Sequence, residues 1–150
     1  MKKLSNTIFI LLAITMLFTH CEKDEETDPN AIVNIPDKAF LNALLEKGID
    51  TNGDSLISHA EAEAVNMVYV CGFEKIKSLE GIAAFKYIDT LHCCGTKITD
   101  LDLSGNRELI ALVCWGSTSE GLLASLNISN NDRLRKVSIP GNKITSLDLS

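Results

Sequence analysis

The side chains able to do chemistry fall into three groups. The first is an oxygen-rich run in which Asp50, Asn52 and Asp54 alternate with Thr51, Gly53 and Ser55, followed by Ser58 and Glu61. Asp-rich turns form on hydrogen bonds alone, and Ser58 with Glu61 also reads as a Ser-x-x-Glu capping box opening a helix. The second group is four thiols, Cys71, Cys93, Cys94 and Cys114, with His92 among them. No Cys-x-x-Cys spacing occurs, which weighs against a metal site built from His92, Cys71 and Cys94. The third is aromatic: Tyr69 and the single tryptophan, Trp115. Neither His59 nor His92 has a Ser or Cys nucleophile at motif spacing. A phosphate-binding glycine loop is also missing. The sequence therefore predicts a binding protein, not an enzyme.

The run Asp50 to Glu61 resembles an EF-hand loop. The resemblance implies calcium, held by side-chain oxygens of Asp50, Asn52, Asp54 and Ser58, the carbonyl of Leu56 and a bidentate Glu61. Ile57 matches the apolar eighth position of such loops. Ser55 stands where the family has glycine, at a turn that needs positive φ.

These groups must be positioned by the elements around them. Residues 35–48 predict a helix, with Pro36 tolerated in its first turn and Asp37 near the positive end of its dipole. Phe40, Leu41, Leu44 and Leu45 give its apolar face, and Gly48 is a natural stop. A second helix is predicted over His59–Asn66 on its alanines. From Val68 onward the chain repeats itself. Leu101-Asp102-Leu103-Ser104 recurs as Leu126-Asn127-Ile128-Ser129 and as Leu147-Asp148-Leu149-Ser150, at intervals of 25 and 21 residues. Asn106 aligns with Asn131, Leu109 with Leu134, and Leu112 with Val137. The four extra residues of the long interval lie in Ser117–Gly121. Such repeats cannot bury their leucines singly, so coils stack and the leucines form internal ladders.

The pattern Leu-x-Leu-x-x-Asn-x-x-Leu resembles the bacterial leucine-rich repeats of 21-residue type over 68–150. The resemblance implies an α/β solenoid with short parallel strands in each coil. Here it would stand behind an N-terminal helical cap, with a degenerate first coil carrying Ile76, Leu79, Ile82, Phe85 and Ile88. Repeat alignment makes Val70, Cys93, Cys114 and Ile139 equivalent, so Cys93 and Cys114 are expected inside as small apolar residues. Cys71 and Cys94 occupy the next position on adjacent coils. Neighbouring strands lie about 4.8 Å apart, which permits a Cys71–Cys94 disulfide outside the cell; unbridged thiols are the default. With strands through 68–70, 91–93, 112–114 and 137–139, the residues Tyr69, His92, Val113 and Ser138 point outward. Trp115 beside them either offers a ligand platform or folds over a coil end. On the other flank, Asp102, Asn127 and Asp148 form a row expected to be solvated.

The first twenty residues read as a targeting segment. Lys2 and Lys3 precede an apolar run from Ile8 to Phe18, far short of the roughly 20 residues of a membrane span but suited to a signal-peptide core. Cys21 follows directly and resembles the acylated cysteine of a lipobox, although His20 stands where a small residue is usual. The acidic stretch Glu22–Glu26 suits an unfolded tether and resembles the tag of surface-exposed lipoproteins of some Gram-negative bacteria. Removing residues 1–20 takes away two lysines and no acid, moving the net charge from −6 to −8. So acidic a chain, without a basic patch, argues against nucleic acid. The expected organisation is a lipoprotein signal peptide at 1–20, a tether at 21–34, a helical cap at 35–67 and repeats at 68–150. Ser150 falls within a repeat, which predicts either further coils or an open end. The expected role is a lipid-anchored binding or adhesion module for protein partners at the outer-membrane surface. Capture of a surface glycan is the alternative.

Overall fold

The computed structural model describes residues 28–116 and 122–150. Cys21, the targeting segment and the Ser117–Gly121 insertion lie outside the described residues.

The repeats fold as a parallel-strand β-solenoid of about three turns, with few helices. Among the described residues two short helices come first, α1 (Lys38–Glu46) and α2 (His59–Glu63). Helix α1 starts later than the sequence suggests, because Asp37 is its N-cap and its Oδ1 accepts from the amides of Ala39 and Phe40. Pro36 therefore stands outside the helix. Past α1 the chain turns at Gly48, with φ of 72°. Helix α2 is shorter than expected, ending with Ala64 as its C-cap, and Ser58 and Glu61 make the full capping box.

The strands are β1 (Met67–Tyr69), β2 (Thr90–His92), β3 (Asp100–Asp102), β4 (Ala111–Val113), β5 (Ser125–Asn127), β6 (Lys136–Ser138) and β7 (Ser146–Asp148). A short 3-10 turn over Ile82–Ala84 lies between β1 and β2. All pairing within the two sheets is parallel: β1-β2-β4-β6 makes one, β3-β5-β7 the other. Strands of the first sheet begin and end one residue earlier than the sequence suggests. The second sheet is an addition, since the flank read as a solvated row is itself hydrogen-bonded.

Burial follows the ladders. Val68, Leu91 and Leu112 are buried in register, as are Val70, Cys93 and Cys114, and Leu101 with Leu126. The first coil adds Ile76, Leu79, Ile82, Phe85 and Ile88, all buried. At the last coil the equivalent Val137, Leu147 and Leu149 are exposed. Two buried asparagines donate at the coil corners. The Asn106 amide donates to the carbonyls of Ile82 and Phe85 at 2.9 and 3.0 Å, and that of Asn131 to Leu103 and Asn106 at 3.0 and 2.7 Å. Each gives a further hydrogen bond to carbonyls of the preceding coil that already accept a backbone N–H, and so ties one coil to the next. The flank row turns the chain after β3, β5 and β7, where Asp102, Asn127 and Asp148 each accept from the amide two residues on.

Gly81 joins the first coil to the segment before α1. Its φ is 99°, and a Cβ there would stand 2.7 Å from the carbonyl oxygen of Asn34 and 2.9 Å from Ile35. Gly81→Ala combines a left-handed backbone penalty with overpacking against main chain. We expect a loss of about 3 kcal/mol, read from the urea midpoint at unchanged m-value. A shift under about 0.5 kcal/mol, the level of ordinary surface substitutions, would refute the close approach.

Candidate functional site

The parallel register assembles the outward row. Tyr69 pairs with His92, His92 with Val113, and Val113 with Ser138. Tyr69 and His92 stack, their ring centroids 5.4 Å apart and 29° from parallel. Trp115, two residues past β4, is 52% exposed, and its Nε1–H donates to Ser138 Oγ at 2.9 Å. These five residues line one shallow cavity of about 330 Å³ together with Cys71, Cys94 and Lys136. Val113 is buried and forms the back of the cavity, whereas the others offer surface.

Two lysines missed by sequence reasoning belong to this region. Lys136 lies on β6 in register with Ala111 and Thr90; strand alternation from Ser138 already placed it on the outer face. Lys47, the C-cap of α1, holds its Nζ 5.1 Å from the Tyr69 ring centroid and 5.9 Å from that of Phe73. That contact depends on how α1 packs beside the solenoid, for which the sequence carries no local signal.

The cysteines separate into two pairs. Cys93 and Cys114 are buried, with Cys114 Sγ 3.6 Å from the Cys93 carbonyl oxygen. The Cys93 thiol is pushed well up by its hydrogen bond with Cys114 and by burial. Cys71 and Cys94 are half-buried free thiols, not a disulfide in this structure, and the Cys94 amide donates to Cys71 Sγ at 3.1 Å. Burial, then the hydrogen bond with Cys94, raises the Cys71 thiol to about 11.

The oxygen-rich loop lies apart from this face and centres on Glu61. Its Oε1 accepts from the amide and hydroxyl of Thr51 at 2.8 and 3.0 Å and from the Asn52 amide at 3.3 Å. Its Oε2 accepts from the Ser58 amide and hydroxyl at 3.0 and 2.9 Å. The Ser58 amide is the largest influence holding the carboxyl down at about 2; burial opposes it and the Thr51 amide adds to it. Asp50 accepts from the amides of Gly53 and Ser55, Asn52 from that of Asp54, and Asp54 from that of Leu56. Ser55 takes φ of 65°, supplying the left-handed turn in place of glycine. Among the described residues, no group of three or more His, Cys, Asp and Glu side chains gathers as a metal centre. The donors that the EF-hand resemblance implies include Asn52, Ser58 and the Leu56 carbonyl, and that all-oxygen set fits calcium in chemistry. The loop is also tied to the chain before α1. Val33 N–H donates to the Ile57 carbonyl at 2.8 Å and His59 N–H to that of Ala31 at 3.0 Å, with an antiparallel bridge at Ile32 and Ser58. The end of the stretch read as tether is thus paired, and Val33 is buried.

No family model matches the chain, and no curated protein matches it. Among solved structures it is similar to the CBM51-2 and INT domains of Clostridium perfringens ZmpB, at 24% identity and a TM-score of 0.50. A second structure of those domains, with CBM51-2 in complex with GlcNAc, gives 24% identity and a TM-score of 0.49. Each match covers 69% of this chain and 21% of the other, so this chain spans about a fifth of the length of those structures. The likeness is one of fold.

Proposed function

We propose that this protein is a surface-anchored binding module that holds a protein partner against the β1-β2-β4-β6 face. The observation that carries this reading is Trp115, half-exposed yet already fixed through Ser138 beside the stacked Tyr69 and His92. An ordered, exposed aromatic loses little side-chain entropy when a partner covers it, and tryptophan and tyrosine dominate binding energy at protein interfaces. The spacing of the leucines and asparagines supports leucine-rich repeats of the 21-residue type behind a helical cap of α1 and α2. Lys2, Lys3, the Ile8–Phe18 run and the acidic stretch after Cys21 support export, acylation at Cys21 and display at the outer membrane. The 50–61 loop is read as a structural calcium site, in which Asp50, Asn52, Asp54, Leu56, Ser58 and Glu61 would hold the ion and calcium would supply countercharge.

Capture of a glycan is the second reading, favoured by one feature: the exposed Trp115 and Tyr69 line one cavity with the Ser138 hydroxyl and Lys136, a mix of aromatic and polar groups suited to a sugar. A photo-crosslinking residue at Lys136, on the face, and another at Ser146, on the opposite sheet, test both readings in intact cells. A protein crosslinked from position 136 only, and lost in Trp115→Ala, is the expected result. Glycan-array binding lost in Trp115→Ala, with no crosslinked protein, would replace it with the second. Crosslinks of equal yield from both positions would refute the face.

A further inference from the structure

The two cysteine pairs have the same register relation but different surroundings. Cys93 and Cys114 face the core. Cys71 and Cys94 stand two residues past β1 and β2, where the parallel pairing continues: Val70 N–H donates to the His92 carbonyl at 2.8 Å and Gly72 N–H to that of Cys94 at 2.9 Å. Adjacent strands lie about 4.8 Å apart, inside the range of about 4.4 to 6.8 Å that a disulfide spans between Cα atoms. The Cys71 side chain already reaches Cys94, whose amide donates to Cys71 Sγ at 3.1 Å, while Cys94 Sγ lies 3.6 Å from the Val113 carbonyl oxygen. Both are half-buried and line the same open cavity as Tyr69, His92 and Trp115. A small reagent entering that cavity meets this pair and not the buried one.

We propose that Cys71 and Cys94 form a reversible dithiol–disulfide site that, when oxidised, staples the first coil to the second at the rim of the cavity. The oxidant is a small-molecule disulfide. Burial disfavours the Cys71 thiolate, and Cys94 makes the first attack. The Cys94 thiolate, its proton released to solvent, attacks one sulfur of the oxidant; a mixed disulfide forms and one small thiolate leaves. That thiolate takes the proton of Cys71, whose sulfur then attacks Cys94 Sγ and expels the second small thiolate, which is protonated by solvent. Two protein thiols are oxidised and one small disulfide is reduced to two thiols. Tyr69 lines the same cavity as both thiols, so the redox state reaches the aromatic rim. The dithiol site stands whatever the cavity binds.

Titrating the full-length chain with oxidised glutathione, alkylating the remaining thiols and mapping the peptides tests the proposal. Cys71 and Cys94 are expected to leave the alkylated pool together as one crosslinked product. Cys93 and Cys114 should stay reduced, and dithiothreitol should restore the pair. The crosslink should persist in Cys93→Ala and vanish in Cys94→Ser, while Cys71→Ser should carry glutathione on Cys94. The melting temperature of the oxidised wild type should rise, with no rise in Cys94→Ser. Glutathione adducts without a crosslink, a crosslink that survives Cys94→Ser, or no reaction at all would overturn the proposal.

Discussion

Glu61→Gln is expected to cost about 3 kcal/mol of unfolding free energy at pH 7, because hydrogen bonds to a charged group contribute about 1.5–3 kcal/mol each and orphaned buried donors add their own penalty. The carboxylate accepts five hydrogen bonds, three at Oε1 and two at Oε2. Glutamine keeps the shape but turns one acceptor into a donor, so whichever way the amide lies, an NH2 group faces protein N–H and O–H groups. Urea unfolding should show a lower midpoint at unchanged slope.

The pH profile isolates the charge. The folded carboxyl is held at about 2 against an ordinary 4.5, so its contribution is fully present above pH 4.5 and drains away as pH falls towards about 2. Wild type should lose stability through that window more steeply than Glu61→Gln; parallel profiles would sink the assignment. The same pair of proteins tests calcium. A rise in wild-type melting temperature with calcium over chelator, absent in Glu61→Gln, supports the ion. Identical curves leave Glu61 closing the loop on hydrogen bonds alone.

What the sequence revealed and what it hid divide along the range of the interactions. The repeat spacing was enough to align Val70 with Cys93 and Cys114, and Tyr69 with His92, Val113 and Ser138, because a solenoid converts sequence offset directly into strand register. Asn106 and Asn131 were legible for the same reason. The second sheet was not, since Asp100-Leu101-Asp102 is three residues long and its alternation is also that of a solvated turn. The paired 31–33 segment escaped notice because it follows a polar, acidic stretch and only Ile32 and Val33 hint at burial. The loop was readable in spacing, and Ser58 with Glu61 as a cap, yet the reach of Glu61 to Thr51 and Asn52 needs the loop already folded. Lys47 above Tyr69 and the double role of Asp37 depend on packing between α1 and the coils, which no local pattern encodes.

Asp37 supplies the second large effect. The sequence suggests a favourable charge at a helix start, a contribution of about 0.3–1 kcal/mol. The structure gives it four N–H donors on two elements. Oδ1 accepts from Ala39 and Phe40 at 2.8 and 3.1 Å and caps α1, while Oδ2 accepts from Lys77 and Ser78 at 2.7 and 2.9 Å and ties the helix to the first coil. Burial works against its charge, but these amides, Lys77 foremost, hold its pKa below the ordinary value. Asp37→Ala removes both roles and is expected to cost about 2.5–4 kcal/mol, a capping loss of about 1 plus charge-assisted bonds of about 1.5–3. Asp37→Ser separates them, for a serine hydroxyl still caps the helix but does not span to the coil. It should recover about 1 kcal/mol of the loss. Hydrogen exchange assigns the parts by residue: the Lys77 and Ser78 amides should lose protection in both variants, those of Ala39 and Phe40 only in Asp37→Ala. Full recovery of stability by serine would show that the tie to the coil contributes nothing and that α1 is held on the solenoid by its apolar face, Phe40, Ala43 and Leu44, alone.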